Sequence, residues 1–218
     1  IMVDLSSFFS DKLYLQPTHL CEIMTRHGSD KGAARIEGPD HNYTTFYHFL
    51  WKDKTQEVVK VFEMGLGSNN TDVLYNMGPS GIPGASLRGW REYFPSAMIY
   101  GADIDRRVLF NEDRIRTFYC DQTDPDAIAD LWGHCGDEFD IIVDDGYHAL
   151  HANSIFLDHS ISRLKRGGLY VIEDVDSGSF PDAKALVKTY NRMFWAQLVK
   201  IPNAKNTKDN NVILIAKP

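Results

Sequence analysis

Short runs of β-branched and aromatic residues recur at 58–64, 98–104, 116–120, 139–143 and 169–172, and again at 196–200 and 212–216. Between them, apolar residues return at helical spacing over 86–93, 125–132, 151–164 and 182–194. Strand-like runs alternating with helical periodicity imply right-handed crossovers and a mostly parallel sheet covered on both faces. The expected fold is therefore a doubly wound α/β domain. The last two runs are separated by a polar stretch, 202–211, without helical periodicity, which predicts an antiparallel closing pair. A seven-stranded sheet is expected. Ahead of the first run, Leu20, Ile23 and Met24 follow a Thr18 cap at helical spacing, and 43–51 carries a second, aromatic-rich helical pattern. These form a helical N-terminal preface over 1–57, packed on a single domain that covers 1–218. The Gly/Pro-rich patch at 78–84 is too short to separate two domains and reads as a loop.

Composition adds exclusions. With 43% hydrophobic and 24% charged residues, the chain can bury an ordinary core. Its formal charge of −7 repels phosphate backbones and anionic membranes, so nucleic acid is not an expected partner. Cys21, Cys120 and Cys135 are odd in number and far apart, which argues against a disulfide framework or a zinc cluster. No apolar run approaches the ~20 residues of a membrane span. The first residues lack a basic region followed by an apolar one, and a cytoplasmic protein is expected.

In an open α/β sheet the ligand lies beyond the carboxyl ends of the strands, so chemistry is sought just after each run. The first run ends Glu63-Met-Gly65-Leu-Gly67-Ser-Asn-Asn70. Such a turn can approach a ligand closely; the acid before the first glycine suits a cofactor with a cationic amine, and Asn70 stands where a dinucleotide fingerprint wants its third glycine. A plain tight turn is an equal reading of this motif alone. Asp103 ends the second run, where a carboxylate can accept both ribose hydroxyls or merely be solvated. Asp121 and Gln122 follow the third run, where either could bond an adenine edge or cap the next helix.

The densest group comes next: Asp140 and Asp144-Asp145-Gly-Tyr-His148 around the end of the fourth run, then Glu173-Asp174-Val-Asp176 after the fifth. So many carboxylates on one rim repel each other unless a cation compensates. Oxygen ligands without cysteine favour Mg2+. His148 is open between general base, metal ligand and loop residue. Trp90, Tyr93 and Phe94 read as packing, and Arg163, Lys165 and Arg166 as cations closing a helix that Gly167-Gly168 stops. His134, His151 and His159 are taken as structural or solvated.

With these residues in place the sequence resembles class I S-adenosylmethionine-dependent methyltransferases, in particular the metal-dependent sugar O-methyltransferases that tailor macrolides and related antibiotics. The matching stretches include Gly28-Ser-Asp-Lys-Gly32, His41-Asn-Tyr43, Phe62-Glu-Met-Gly-Leu-Gly67, the Ser-Leu-Arg that starts at Ser86, Asp144-Asp-Gly-Tyr-His148 and Glu173-Asp174. The resemblance implies a cofactor, S-adenosyl-L-methionine, whose methionine end lies near Glu63, Gly65, Gly67, Tyr43 and Ser86. Asp103 would hold its ribose and Asp121 with Gln122 its adenine side, with Asp145 also on the cofactor side. It implies Mg2+ on Asp145, Glu173 and Asp174, His148 as base, and a hydroxylated, sugar-like acceptor. The macrolide enzymes carry a further N-terminal domain that the likeness does not cover, so neither acceptor identity nor self-association is carried over. Two rivals keep the same fold: a non-haem Fe(II) enzyme using His148, Asp145 and Glu173, and a cofactor-binding partner protein without chemistry. A nicotinamide enzyme is disfavoured by Asn70.

Overall fold

The computed structural model describes residues 2–32 and 41–218. Among them the strands are β1 Lys60–Met64, β2 Met98–Asp103, β3 Asn111–Glu112, β4 Ile115–Tyr119, β5 Phe139–Asp144, β6 Leu164–Ile172, β7 Trp195–Lys200 and β8 Asn211–Ala216. They form one sheet in the order β3-β4-β2-β1-β5-β6-β8-β7. The five central strands β4, β2, β1, β5 and β6 run parallel. β8 is antiparallel to both β6 and β7, the closing pair that the polar stretch after 201 predicts. The sheet has eight strands, not seven. The extra one, β3, is a two-residue antiparallel ladder on β4, too short to carry any periodicity.

Helices α1 Ser6–Ser10, α2 His19–His27, α3 Tyr43–Trp51 and α4 Ala85–Tyr93 supply one layer, and α5 Pro125–Cys135, α6 Leu150–Ser160 and α7 Phe180–Tyr190 the other. The sheet's alternation divides the core between them. Val61, Ile99, Ile141, Val143 and Leu214 point into the cluster that holds α2, α3 and α4, while Phe62, Ala102, Ile142, Ile172 and Ile213 point into the cluster that holds α5, α6 and α7. Trp90, Tyr93 and Phe94 do pack in the first cluster. The central strands β1 and β5 are buried on both faces, as parallel strands between helices must be, while the outer strands β3, β4 and β7 keep exposed positions.

Local sequence explains the ends of these elements. Thr18 caps α2 by accepting a hydrogen bond from the Cys21 amide, and Gly28 ends it in the left-handed region at φ 85°, where a side chain would be strained. That cap turns the chain into the segment that carries Lys31. Asp124 caps α5, with Pro125 in its first turn. One expected boundary moves. α6 stops at Ser160 and a 3-10 turn follows, so Lys165 and Arg166 lie in β6 rather than at a helix end. Lys165 pairs with Asp140, and the Gly167-Gly168 pair marks an irregularity where β6 jumps from Leu164 to Leu169 against Phe139 and Ile141 of β5.

All three cysteines are buried and free. Burial pushes the thiols of Cys120 and Cys135 up to about 12. Both should therefore resist iodoacetamide at pH 8 in the folded protein and alkylate at once in urea. Mass spectrometry after timed quenching reads this, and fast labelling of either in the native state would contradict their placement.

Candidate active site

The chain leaves β1 toward β2 on one side and returns as β5 on the other, so the crevice beyond these two strands is the topological switch point of the sheet. A cavity of about 1050 Å3, counting the solvent in its mouth, opens there. Gly65 has φ 92°, and a Cβ on it would lie 2.0 Å from the carbonyl oxygen of Asp145, so only glycine lets the two strand ends meet.

Glu63 is fully buried on the cavity wall. Ser86 Oγ donates to its Oε1 and Trp90 Nε1 to its Oε2, each at 2.5 Å. Ser86 and Trp90 are four apart on α4, hence on one helix face. Asp103 accepts from the Leu66 amide on Oδ2 and from the Asp105 amide on Oδ1, both at 2.8 Å, and keeps a second lone pair on each oxygen. Asp121 lines the cavity but accepts from both the amide and hydroxyl of Thr123. Gln122 has both ends of its amide engaged inside the protein: Nε2 donates to Asp144 Oδ1 and Oε1 accepts from the Tyr147 amide, each at 2.8 Å. Its visible part is to hold the 145–148 turn.

The acidic crowd divides. Asp140 sits at the far end of β5, accepting from the Val59 and Lys60 amides. Asp176 caps the short turn 177–179 and faces Lys208 at 3.4 Å. Asp144 is buried beneath the turn, where Gln122 and Asn153 donate to it. Only Asp145, Glu173 and Asp174 converge at the cavity with His148. Asp145 Oδ1 and Asp174 Oδ2 lie 3.3 and 3.4 Å from His148 Nε2. Tyr43 OH lies 2.7 Å from Asp174 Oδ1 and accepts from the Asp174 amide. Asp174 and His148 adopt φ 53° and 52°, conformations that cost non-glycine residues energy and gather at functional sites.

The cation that compensates this group within the protein is Lys31. It is 3% exposed, and its Nζ lies 2.5 Å from Asp145 Oδ2, 2.5 Å from Glu173 Oε2 and 3.6 Å from Glu63 Oε1. Burial opposes its charge, but Asp145, Glu173 and Glu63 outweigh that and hold its pKa well above the usual lysine range. The other oxygen of Glu173 takes the hydroxyl of Tyr47. Burial, with the neighbouring carboxylates, pushes Glu173 well up despite Lys31. Burial also works against the charged form of His148, yet Asp145 and Asp174 prevail and push it up to about 10. Among the described residues Glu63, Asp145, Glu173 and Asp174 thus share Lys31 and two imidazoles, His148 and His41, the latter with Nε2 3.5 Å from Asp174 Oδ1.

Two groups fit this arrangement. Ligand atoms of Asp145, His148 and Asp174 all lie within 4.8 Å of one another, and two carboxylates with one imidazole suit a hard divalent ion. Glu173, expected beside them, accepts from Lys31 on one oxygen and from Tyr47 on the other. The cavity lined by Glu63, Gly65, Gly67, Asp103 and Asp121 offers carboxylates and a closely approaching turn, which suit the amine and hydroxyls of a nucleoside cofactor. Sequence reasoning singled out neither Lys31 nor Tyr47. Tyr47 follows Tyr43 by one helical turn, a signal that was available.

The sheet order, with its crevice at the β1/β5 switch point, is the fold of class I methyltransferase domains. No family model matches the chain. It is 35% identical over 163 residues to 8-demethyl-8-alpha-L-rhamnosyl tetracenomycin-C 2'-O-methyltransferase of Streptomyces olivaceus, covering 74% of this chain and 39% of that protein. Demethylmacrocin O-methyltransferase of Streptomyces fradiae is 36% identical over 146 residues, 66% of this chain and 34% of the relative. The solved structure of MycE methyltransferase from the mycinamycin biosynthetic pathway, in complex with Mg, SAH and mycinamycin VI, superposes with a TM-score of 0.67 at 25% identity, over 93% of this chain and 55% of that one. An rRNA methylase from Streptococcus thermophilus, 13% identical with a TM-score of 0.54, covers 84% of this chain and 99% of that one and shares the fold alone. The chain thus belongs to the class I S-adenosylmethionine-dependent methyltransferases and is related to the sugar O-methyltransferases of macrolide and tetracenomycin biosynthesis. It spans between a third and two fifths of the length of these two curated relatives.

Asp144 offers a test of the layer under the site. Burial raises its pKa to about 6 against the donors Asn153 and Gln122. Since the unfolded carboxyl titrates near ~3.9, the native state holds an extra proton between about pH 4 and 6. Its contribution to stability is therefore greatest below pH 4 and falls as pH rises through 6. Urea unfolding of wild type and Asp144→Asn from pH 4 to 7 should show wild type losing about 2–3 kcal/mol relative to the variant over that range. Parallel pH profiles would contradict this.

Proposed function

We propose that this domain transfers the methyl group of S-adenosylmethionine to a hydroxyl of a sugar-like or other polyhydroxylated small molecule, with Mg2+, in the tailoring of a natural product or glycan. The observation that carries the proposal is the convergence of Asp145, His148 and Asp174 at the switch-point cavity that Glu63, Gly65 and Gly67 also line. The comparisons support it through the relatives' own activities. The whole chain 1–218 is read as one catalytic domain, its helical preface included, acting in the cytoplasm and free to self-associate.

In this reading Glu63 takes the donor's amine, held in place by Ser86 and Trp90, and Asp103 takes the ribose hydroxyls through its unspent lone pairs. Asp121 borders the adenine side, with Gln122 supporting the turn next to it. Tyr43 orients Asp174. Asp145 and Asp174, with Glu173 beside them, would hold the ion. When bound, the donor supplies an electrophilic methyl group and the ion supplies positive charge for the acceptor oxygen. An ion on Asp145 and Asp174 would offset the carboxylate charge that keeps His148 protonated, and His148, then neutral, is read as the base that takes the hydroxyl proton, with Asp145 and Asp174 fixing the ring. The cavity mouth is rimmed by exposed Leu74, Tyr75, Met77, Ile82 and Tyr147, an apolar collar that suits an acceptor with an apolar portion beside its hydroxyls.

The iron reading is weaker on this geometry, because the clustered donors are two carboxylates and one histidine, the reverse of the usual two-histidine triad. A partner protein without chemistry is separated by turnover itself. Among the described residues no helix is long and apolar enough to cross a membrane.

The test is methyl transfer from labelled donor to a panel of glycosides, with donor binding measured in parallel. EDTA should abolish turnover and Mg2+ restore it. His148→Gln should lower kcat by about 10²–10⁴-fold and leave donor affinity within a factor of three. Turnover untouched by EDTA would remove the ion from the mechanism, and wild-type kcat in His148→Gln would remove the base.

A further inference from the structure

We infer that Lys31 holds, in the ion-free protein, carboxylate oxygens that a divalent ion takes when it binds, so that ion uptake and withdrawal of the Lys31 ammonium are a single exchange. This rests on the proposed reading of Asp145, Glu173 and Asp174 as ion-binding carboxylates. Glu173 is the residue that forces the exchange. Its Oε2 receives Lys31 and its Oε1 receives Tyr47, so it has no oxygen outside a hydrogen bond. Asp145 is divided in the same way, with Oδ2 on Lys31 and Oδ1 toward His148. A divalent ion on Glu173 Oε2 would share one oxygen with an ammonium already 2.5 Å from it. Two cations on one buried oxygen repel with little screening by solvent or salt.

The backbone leaves the side chain as the moving part. The Lys31 carbonyl accepts from the Thr44 amide at 3.2 Å, at the start of α3, and the Ser29 amide donates to Met24 at the end of α2. Both anchors sit on helices whose apolar faces are in the core, so the segment is pinned at each side. The lysine stem has four rotatable bonds and borders the open cavity. Lys31 is therefore a positioning residue: it keeps the carboxylates gathered while no ion is present, at the expense of ion affinity.

The experiment is calorimetric titration of the full chain with Mn2+, without methyl donor, for wild type and Lys31→Met. The expected result is at least tenfold tighter Mn2+ binding by Lys31→Met, a gain that a purely structural lysine would not produce. Equal or weaker binding by the variant overturns the inference. A second measurement uses wild type alone: reductive methylation with formaldehyde, read by mass spectrometry. Lys31 should be protected without ion and labelled at least fivefold faster in saturating Mg2+, and an unchanged rate overturns the inference. Mn2+ uptake by neither protein would remove the ion-binding reading itself, and the inference with it; uptake with equal affinity removes the inference alone.

Discussion

A buried ammonium shared between two carboxylates, Lys31 between Asp145 and Glu173, is the contact on which the site depends. Removing one partner of such a group leaves an uncompensated buried charge, which costs far more than the group contributes when whole. Among the described residues four acids are gathered around one lysine and two histidines. Such a cluster is poorly designed as a stabilising core and well designed as a receptor for positive charge. The scaffold brings the acids together, because the carboxyl ends of β1, β5 and β6 deliver Glu63, Asp145, Glu173 and Asp174 to one crevice, and Lys31 then links three of them.

The supporting layer shows how rigidity is achieved. Glu63 is fixed by Ser86 and Trp90 from one face of α4, and the turn that carries Asp145 and His148 is fixed by Gln122 and Asp144. Positive φ angles at His148 and Asp174 mean that the backbone is held against its own preference where those side chains point into the cavity. Groups held this way need little reorganisation when a ligand arrives, which is what a site for charge stabilisation requires.

Much of this was legible in the chain. Alternating strand and helix periods imply the layered fold, and the rule that ligands lie past strand carboxyl ends brings Glu63, Asp103, Asp121, Asp145, Glu173 and Asp174 to one edge without any coordinates. Long-range pairing was not legible. Lys31 is 114 residues from Asp145 and 142 from Glu173, and no local period links them. The mutual repulsion of the acids pointed to a compensating cation, read from the sequence as a divalent ion; the structure shows Lys31 on Asp145 and Glu173. Gln122 stood at the right strand end, yet its amide is spent on Asp144 and the Tyr147 amide, a fact of packing that spacing cannot reveal. The cations after α6 misled for a local reason: Gly167-Gly168 reads equally as a helix stop or as an irregularity in a strand, and only the pairing of β6 with β5 decides.

The electrostatic claim at the centre is most directly tested by thermal unfolding of wild-type protein in EDTA and in millimolar Mg2+, without methyl donor. An ion that binds only the native cluster must raise the midpoint, by an amount that grows with the logarithm of its concentration. That rise is the expected result; a midpoint independent of Mg2+ across the series would contradict a cluster that receives a divalent ion.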